Sequence, residues 1–242
     1  YTPSSKRHRL VRISGTTPSV QLLGYQTQGV RARGVDGVVL VTSDAHEGLR
    51  GAIAEVFQGA SWQRCAVHLM RDCAREAKTR QLRRRVARIV APVFRAKDAD
   101  QVRAMYHLAA DMLAQCCPGA ARVWEAAEPD ALAYLDFPAS HWKRLRTNNV
   151  QERTNREIKR RSRVVQVFPS EASLTRLVGA VMCEQDEAWG ESRYFSEQRI
   201  SELYEDRPDP AAPSDERRRE LRLMAEQAIR ASLELADSME AA

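Results

Sequence analysis

The chain has 242 residues, 43% of them apolar, a net charge of +6 and five cysteines. That length suits one large domain or one domain carrying an insertion, and the composition is that of a folded protein. No apolar run approaches the ~20 residues needed to span a bilayer, and residues 1–9 lack the apolar core of a secretory signal. The odd number of cysteines and the lack of a CxxC pair argue against a disulfide framework, so a cytoplasmic location is expected.

The charge is laid out unevenly. Ten basic residues stand against two acids from Arg64 to Arg95, and nine against two from Lys143 to Arg163, whereas 184–242 holds sixteen acids and eight bases. Such blocks point to polyanion contacts in the middle and a solvated acidic end. Arg-rich helices that only solvate their outer faces would give the same pattern.

Residues 1–30 follow neither a helical nor a strand period and read as an irregular segment. Val38-Val39-Leu40-Val41, bounded by Gly37 and Ser43, has the pattern of a buried parallel strand. Asp44 sits just past its carboxyl end. His46 to Phe57 reads as a helix with Leu49, Ile53 and Val56 on one side, closed by Gly59. Ser61 to His68 alternates well enough to be a second strand, completing a strand–helix–strand unit.

From Met70 to about Leu135 the chain reads as helical. One stripe is Leu82, Val86, Ile89, Val90 and Val93; another is Val102, Met105, Tyr106, Ala109, Met112 and Leu113. Pro92, Pro118-Gly119 and Pro138 interrupt the run. A helix over 149–163, with Asn148 or Asn149 placed to cap it, is broken by Phe168-Pro169. Ser170 or Ser173 starts the next, with Leu174, Leu177, Val178, Val181 and Met182. Pro208, Pro210 and Pro213 mark a linker. A last helix over 216–237 places Leu221, Met224, Ala228, Ala231 and Leu235 on a weak seam. The expected division is an irregular 1–30, a first part of an α/β core over 31–69, an all-helical insertion over 70–145, a last core part over 146–200, and a linker with a terminal helix over 201–242.

Two acids stand out. Asp44 lies where a parallel strand gives way to a helix, the edge at which open α/β sheets collect ligands. It also resembles a helix N-cap with an acid, Glu47, three residues on, and alone it would be read that way. Glu152 shares a helical face with Asn155, Arg156, Lys159 and Arg163. A carboxylate amid cations suits two-metal phosphoryl transfer, with acids on the metal ions and bases on the nucleic-acid backbone. Cys65 and His68 form a C-x-x-H, but no second pair follows to complete a four-ligand zinc site, so the non-zinc reading is preferred.

Four motifs occur in one order: Thr42-Ser43-Asp44-Ala45-His46-Glu47-Gly48-Leu49, Trp62-Gln63-Arg64-Cys65-Ala66-Val67-His68, the run from Arg146 to Arg161, and Val164-Val165-Gln166-Val167-Phe168-Pro169. Together they resemble the mutator-type bacterial insertion-sequence transposases, over roughly Arg33 to Arg199. The resemblance implies a ribonuclease-H-like α/β core, a mixed sheet flanked by helices and interrupted by a helical insertion. It implies an Asp-Asp-Glu triad holding Mg²⁺, with Mn²⁺ as an alternative, that cleaves transposon ends and joins them to target DNA. By motif Asp44 matches the second Asp and Glu152 the final Glu. Cys65 and His68, on the strand after that Asp, together with Asn149 and Asn155, take supporting roles. Arg64, Arg71, Arg153, Arg156, Lys159, Arg160, Arg161 and Arg163 are the implied DNA contacts. The implied partners are terminal inverted repeats and target DNA, with a homodimer and nucleoid association.

Departures from the family pattern are Asp72, where Asn is common, and Thr154, where an apolar residue is usual. Only 43 residues precede Asp44, and their one acid is Asp36, directly before Asp44's own strand. The expectation is therefore that the strand bearing the first Asp is missing, in a truncated or frameshifted gene. Weak or no activity would follow. The alternative is a non-catalytic DNA-binding or dimerising remnant that modulates an intact transposase.

Overall fold

The structure is a computed structural model, and it describes residues 9–13, 28–35, 37–191 and 212–240. The described part is a helix-rich α/β arrangement around a three-stranded parallel sheet. Strand β1 (Arg9–Ile13) pairs with β2 (Val38–Ser43), and β2 pairs with β3 (Ser61–Arg64), giving the order β1-β2-β3. Helix α1 (Glu47–Val56) connects β2 to β3, burying Leu49, Ala52, Ile53 and Val56. The sheet is covered on both faces. Val41 packs with α1 in a small cluster, while Leu40 joins the large helical cluster. Burial on both sides explains why β2 reads as a continuous apolar run rather than an alternating one.

Two sequence expectations change here. Residues 9–13 were expected to be irregular, but they form a strand in register with β2, from Arg12 opposite Thr42 to Ile13 opposite Ser43. Five residues interspersed with arginines carry too little period to be seen. It is the open edge of β2, with its row of unpaired backbone groups, that recruits them. The second strand was expected to run to His68, but it ends at Arg64. Helix α2 (Ala66–Arg75) follows at once with Cys65 as its N-cap. Both periods fit this stretch locally. The helix wins because it buries Ala66, Leu69 and Cys73 together, which a strand would send to opposite faces.

The helical region continues with α3 (Arg80–Val90), α4 (Ala99–Cys116), α5 (Pro118–Ala126), α6 (Glu128–Ala131) and α7 (Trp142–Leu145). Thr79 caps α3 by accepting from Leu82 N at 3.1 Å, and Asp98 caps α4 by accepting from Gln101 N at 3.3 Å. Both expected stripes are buried, apart from the partly exposed Leu82 and Met112. The centre of the cluster is Trp124, fully buried and stacked on Tyr106 at 4.2 Å between ring centroids. Each also bonds the other's backbone: Tyr106 Oη donates to Trp124 O at 2.6 Å, and Trp124 Nε1 donates to Tyr106 O at 3.0 Å. At Gly119 a Cβ would lie 2.7 Å from Glu76 Oε2, so α2 and α5 meet at a position that favours glycine.

Helix α8 (Asn149–Val165) is two residues longer than expected and stops at Gln166, whose φ of 58° is left-handed. Helix α9 (Glu171–Glu191) starts behind a reciprocal pair. Ser173 N donates to Ser170 Oγ at 3.2 Å, and Ser170 N to Ser173 Oγ at 3.4 Å. Of its expected apolar stripe only Val181 is fully buried. The terminal helix α10 (Asp215–Glu240) packs on α3 and α4. It buries Leu221, Ala225 and Ile229, so its seam lies one residue from the expected Met224 and Ala228. Pro208 and Pro210 of the expected linker lie outside the described residues. Among the described residues, no helix is long and apolar enough to cross a membrane, and all five cysteines are free thiols.

Candidate functional site

The site forms where the carboxyl ends of β2 and β3 meet the start of α8. Thr42 Oγ1 donates to Leu145 O at 2.7 Å, and Ala66 N donates to Arg146 O at 2.9 Å. These two bonds dock the segment before α8 onto the sheet end. Gln63, fully buried, links β3 to the helical region by donating to Ala131 O at 2.9 Å and accepting from Tyr134 N at 2.8 Å. Cys65 N donates to Ser43 O at 2.8 Å, continuing the sheet pairing by one bond.

Asp44 is not the cap of α1. That position belongs to His46, leaving the Asp44 carboxylate in the crevice. His68, on the first turn of α2, stands between the two acids. Its Nδ1 is 2.9 Å from Asp44 Oδ1, and its Nε2 is 3.5 Å from Glu152 Oε1. The three side chains are each about a quarter exposed, at 22% for Asp44, 23% for His68 and 26% for Glu152. Burial pushes the Asp44 carboxyl above its ordinary range. His68 and the Asn148 hydrogen bond pull it back, and the nearby carboxylates of Glu152 and Asp72 push it up. Asp44 and Glu152 thus share one electrostatic environment across 108 residues of chain.

In the sequence Asn149 takes the supporting role, and Asn148 reads only as a possible helix cap. Asn148 is fully buried. Its Nδ2 donates to Asp44 Oδ1 at 3.4 Å, and its backbone N donates to Cys65 Sγ at 3.4 Å. It stands at the N-cap position of α8 yet makes no side-chain cap bond. Its side chain is spent on Asp44 instead. A buried asparagine before an acid-bearing helix, paired with a buried cysteine beyond a strand end, is the signal that could have found it. Burial also raises the Cys65 thiol. Asp44, Cys65 and His68 place one ligand atom each within 4.8 Å of one another.

The proposed DNA-contacting cations fall into four groups. Arg71 reaches into the site, with Nη1 3.5 Å from Glu152 Oε1 and 3.3 Å from His68 Nε2. Arg64 is turned inward, 15% exposed and paired with Asp72 at 2.9 Å. That pairing also accounts for Asp72 as an acid, which takes Arg75 at 2.9 Å on its other oxygen. On α8, Arg160 and Arg161 both bind Glu157, and Arg161 also binds Glu184 of α9 at 2.9 Å. These pairs hold the Glu157 carboxyl down at about 2. Arg153, Arg156, Lys159 and Arg163 are exposed and make no ion pair with an acid among the described residues. The helix therefore has an ion-paired side toward α9 and a side with open cations that also carries Glu152.

Asp44, Cys65 and His68 offer donor atoms for a metal ion, with Glu152 and a row of open cations beside them. Residues 26–192 match the family described as Transposase, Mutator family. The transposase for insertion sequence element IS1081 of Mycobacterium tuberculosis is 41% identical over 164 residues, covering 68% of this chain and 39% of that protein. The transposase for IS406 of Burkholderia multivorans is 37% identical over 162 residues, with 67% and 42% covered. The transposase for IS256 in transposon Tn4001 of Staphylococcus aureus is 33% identical over 164 residues, with 66% and 41% covered. The chain spans about two-fifths of the length of these relatives. The chain belongs to the Mutator family of transposases.

Proposed function

We propose that this chain carries metal-holding and DNA-holding parts of an insertion-sequence transposase, which cleaves DNA at the element's terminal inverted repeats and joins the ends to target DNA. The observation that carries the reading is the meeting of Asp44 and Glu152 around His68, beside the open cations of α8. The carboxylate oxygens suit a hard divalent ion such as Mg²⁺. The imidazole and thiol nearby also admit Mn²⁺, which accepts a nitrogen donor more readily. His68 Nδ1 lies 2.9 Å from Asp44 Oδ1, so the imidazole and the carboxylate meet at one point. In this reading Asp44 and Glu152 hold the ion, and His68 and Asn148 keep Asp44 in place. When bound, the ion would activate a nucleophile and stabilise the leaving oxygen of a phosphodiester. Arg153, Arg156, Lys159 and Arg163 would hold the DNA backbone, with Arg71 near the scissile phosphate. The ribonuclease-H-like core and its division by the 70–145 insertion belong to the same proposal.

A second reading is favoured by one observation. Strand β1, beside Asp44's own strand, is Arg-Leu-Val-Arg-Ile and has no acid to offer as a third ligand. The chain by itself then cuts weakly or not at all, and acts as a DNA-binding or dimerising partner of an acid-complete transposase. Val164 and Val167, each 80% exposed, and Met182, 53% exposed, give the α8–α9 hairpin an apolar surface for self-association. Incubation of labelled terminal-repeat duplex with the chain and Mg²⁺ or Mn²⁺ decides between the readings. Robust cleavage that Asp44→Ala abolishes supports the first, and duplex binding with trace or no cleavage supports the second. Neither binding nor cleavage sinks both.

A further inference from the structure

The most one-sided charge in the molecule lies away from the candidate site. From Lys78 to Lys97 there are eight basic residues and no acid. Every one is exposed except the half-buried Arg88. Arg80, Arg84 and Arg88 follow one another at steps of four along α3, so like charges stack on one helical face, an arrangement that destabilises a helix. Four cations, Arg84, Arg88, Arg95 and Lys97, line a groove of about 930 Å³ between α3, the start of α4 and α10, and no acid lines it among the described residues. Its floor is apolar, with Met105 and small residues of α3 and α10.

The neighbouring helix provides an internal control. An Arg-rich surface that is merely solvated interleaves its acids, as α10 does: Arg217 pairs with Glu220 at 3.1 Å, Arg218 with Asp215 at 3.8 Å and Arg222 with Glu226 at 3.5 Å. Helix α3 has no acid with which to do this. Arg88 donates instead to a backbone carbonyl, Ser232 O, at 3.2 Å. Two helices in contact thus differ: α10 interleaves its acids, and α3 holds none.

We propose that the 78–97 strip is a second, sequence-independent contact for duplex DNA, which grips the phosphate backbone outside the segment held by α8. The match is one of spacing and sign. Steps of four residues advance ~6 Å along a helix, and a DNA strand carries one charge every ~3.4 Å of axis. Each stacked arginine therefore faces about two phosphates. The contact rests on the transposase reading for its ligand, but not on the catalytic acids. It would hold the flanking duplex while the end lies at Asp44 and Glu152.

The test is fluorescence anisotropy of a mixed-sequence duplex with the full chain across a salt series. The strip variant is Arg80→Gln/Arg85→Gln/Arg95→Gln/Lys97→Gln, all exposed positions, with thermal unfolding measured alongside. A second variant removes similar charge from α10: Arg217→Gln/Arg218→Gln/Arg222→Gln. A third, Arg156→Gln/Lys159→Gln, weakens the α8 contact. The expected result is that the strip variant keeps its melting temperature, binds at least about tenfold more weakly at low salt, and loses about 2–4 from the slope of log K against log salt. Lysines at the three arginine positions, with Lys97 unchanged, restore both, and the α10 variant behaves as the parent. A strip variant no worse than the α10 variant overturns the proposal, while binding lost only through α8 leaves the transposase reading standing. An unvaried chain that binds no duplex at low salt overturns both.

Discussion

The helical region from α2 to α7 and the α8–α9 hairpin are both made of helices, yet they are held together in opposite ways. The first is built on burial: Trp124, Tyr106, Tyr134, Leu69, Ile89 and Leu113 are all at 1% exposure or less. The hairpin fully buries only Thr154 and Val181 among its described residues. Its helices are joined by the Glu157–Arg161–Glu184 ion-pair chain and tied to the sheet through Asn148. The difference separates scaffold from instrument. The region without the candidate acids is held by burial, and the helix with Glu152 presents charge at its surface.

That contrast can be broken by substitution. The largest effect belongs to the scaffold: Trp124→Ala removes a stacked, doubly bonded core residue and should cost ~3–5 kcal/mol in urea unfolding. On the hairpin, Val164→Ala should stay within about 0.5 kcal/mol. Equal losses would erase the distinction. Asn148→Ala should fall between them, at ~1–3 kcal/mol, because it strands buried hydrogen-bonding groups. Its sharper consequence is at the site, where Mn²⁺ affinity should drop ~10-fold or more as Asp44 loses its support. Calorimetric titration showing unchanged affinity would remove Asn148 from the site.

Asp44 gives a pH signature. Its carboxyl is raised above 3.8 in the folded chain, chiefly by burial. Its contribution to stability is therefore fully present below 3.8, and is lost as pH rises through the folded value. Asp44→Asn should accordingly melt higher than the parent at neutral pH without metal, and the gap should close on acidification below 3.8. A gap that widens in acid would mean the carboxylate is stabilised by its neighbours. The smallest effect is expected from Arg161→Ala, an ion pair on a largely open surface. It should scarcely move the melting temperature and should leave duplex affinity intact, whereas Arg156→Ala should weaken duplex binding. Anisotropy showing the reverse order would invert the two sides of α8.

Much of this was legible in the sequence, and the failures have physical causes. Strand β2, helix α1 and the stripes of α3 and α4 were read correctly because each buries a periodic set of large residues. The alternation from Trp62 to His68 favours a strand for the Cys65–His68 motif. Only the joint burial of Leu69 and Cys73 against the helical cluster makes it a helix start. Strand β1 was invisible because its pairing edge, not its own pattern, creates it. The cations of α8 look alike in the sequence, since nothing local announces that Glu184 comes to meet Arg161. Asn148 looked like a cap, and its true partner lies 104 residues away.

The central proposal is that Asp44 and Glu152 would serve one metal site, and Mn²⁺ binding measured in a double-mutant cycle addresses it most directly. Asp44→Ala and Glu152→Ala should each lower the affinity by at least about tenfold. The double variant should be little worse than either, because ligands of a shared ion are strongly coupled. Losses that simply add, or parent-like Mn²⁺ affinity in both single variants, would contradict the account.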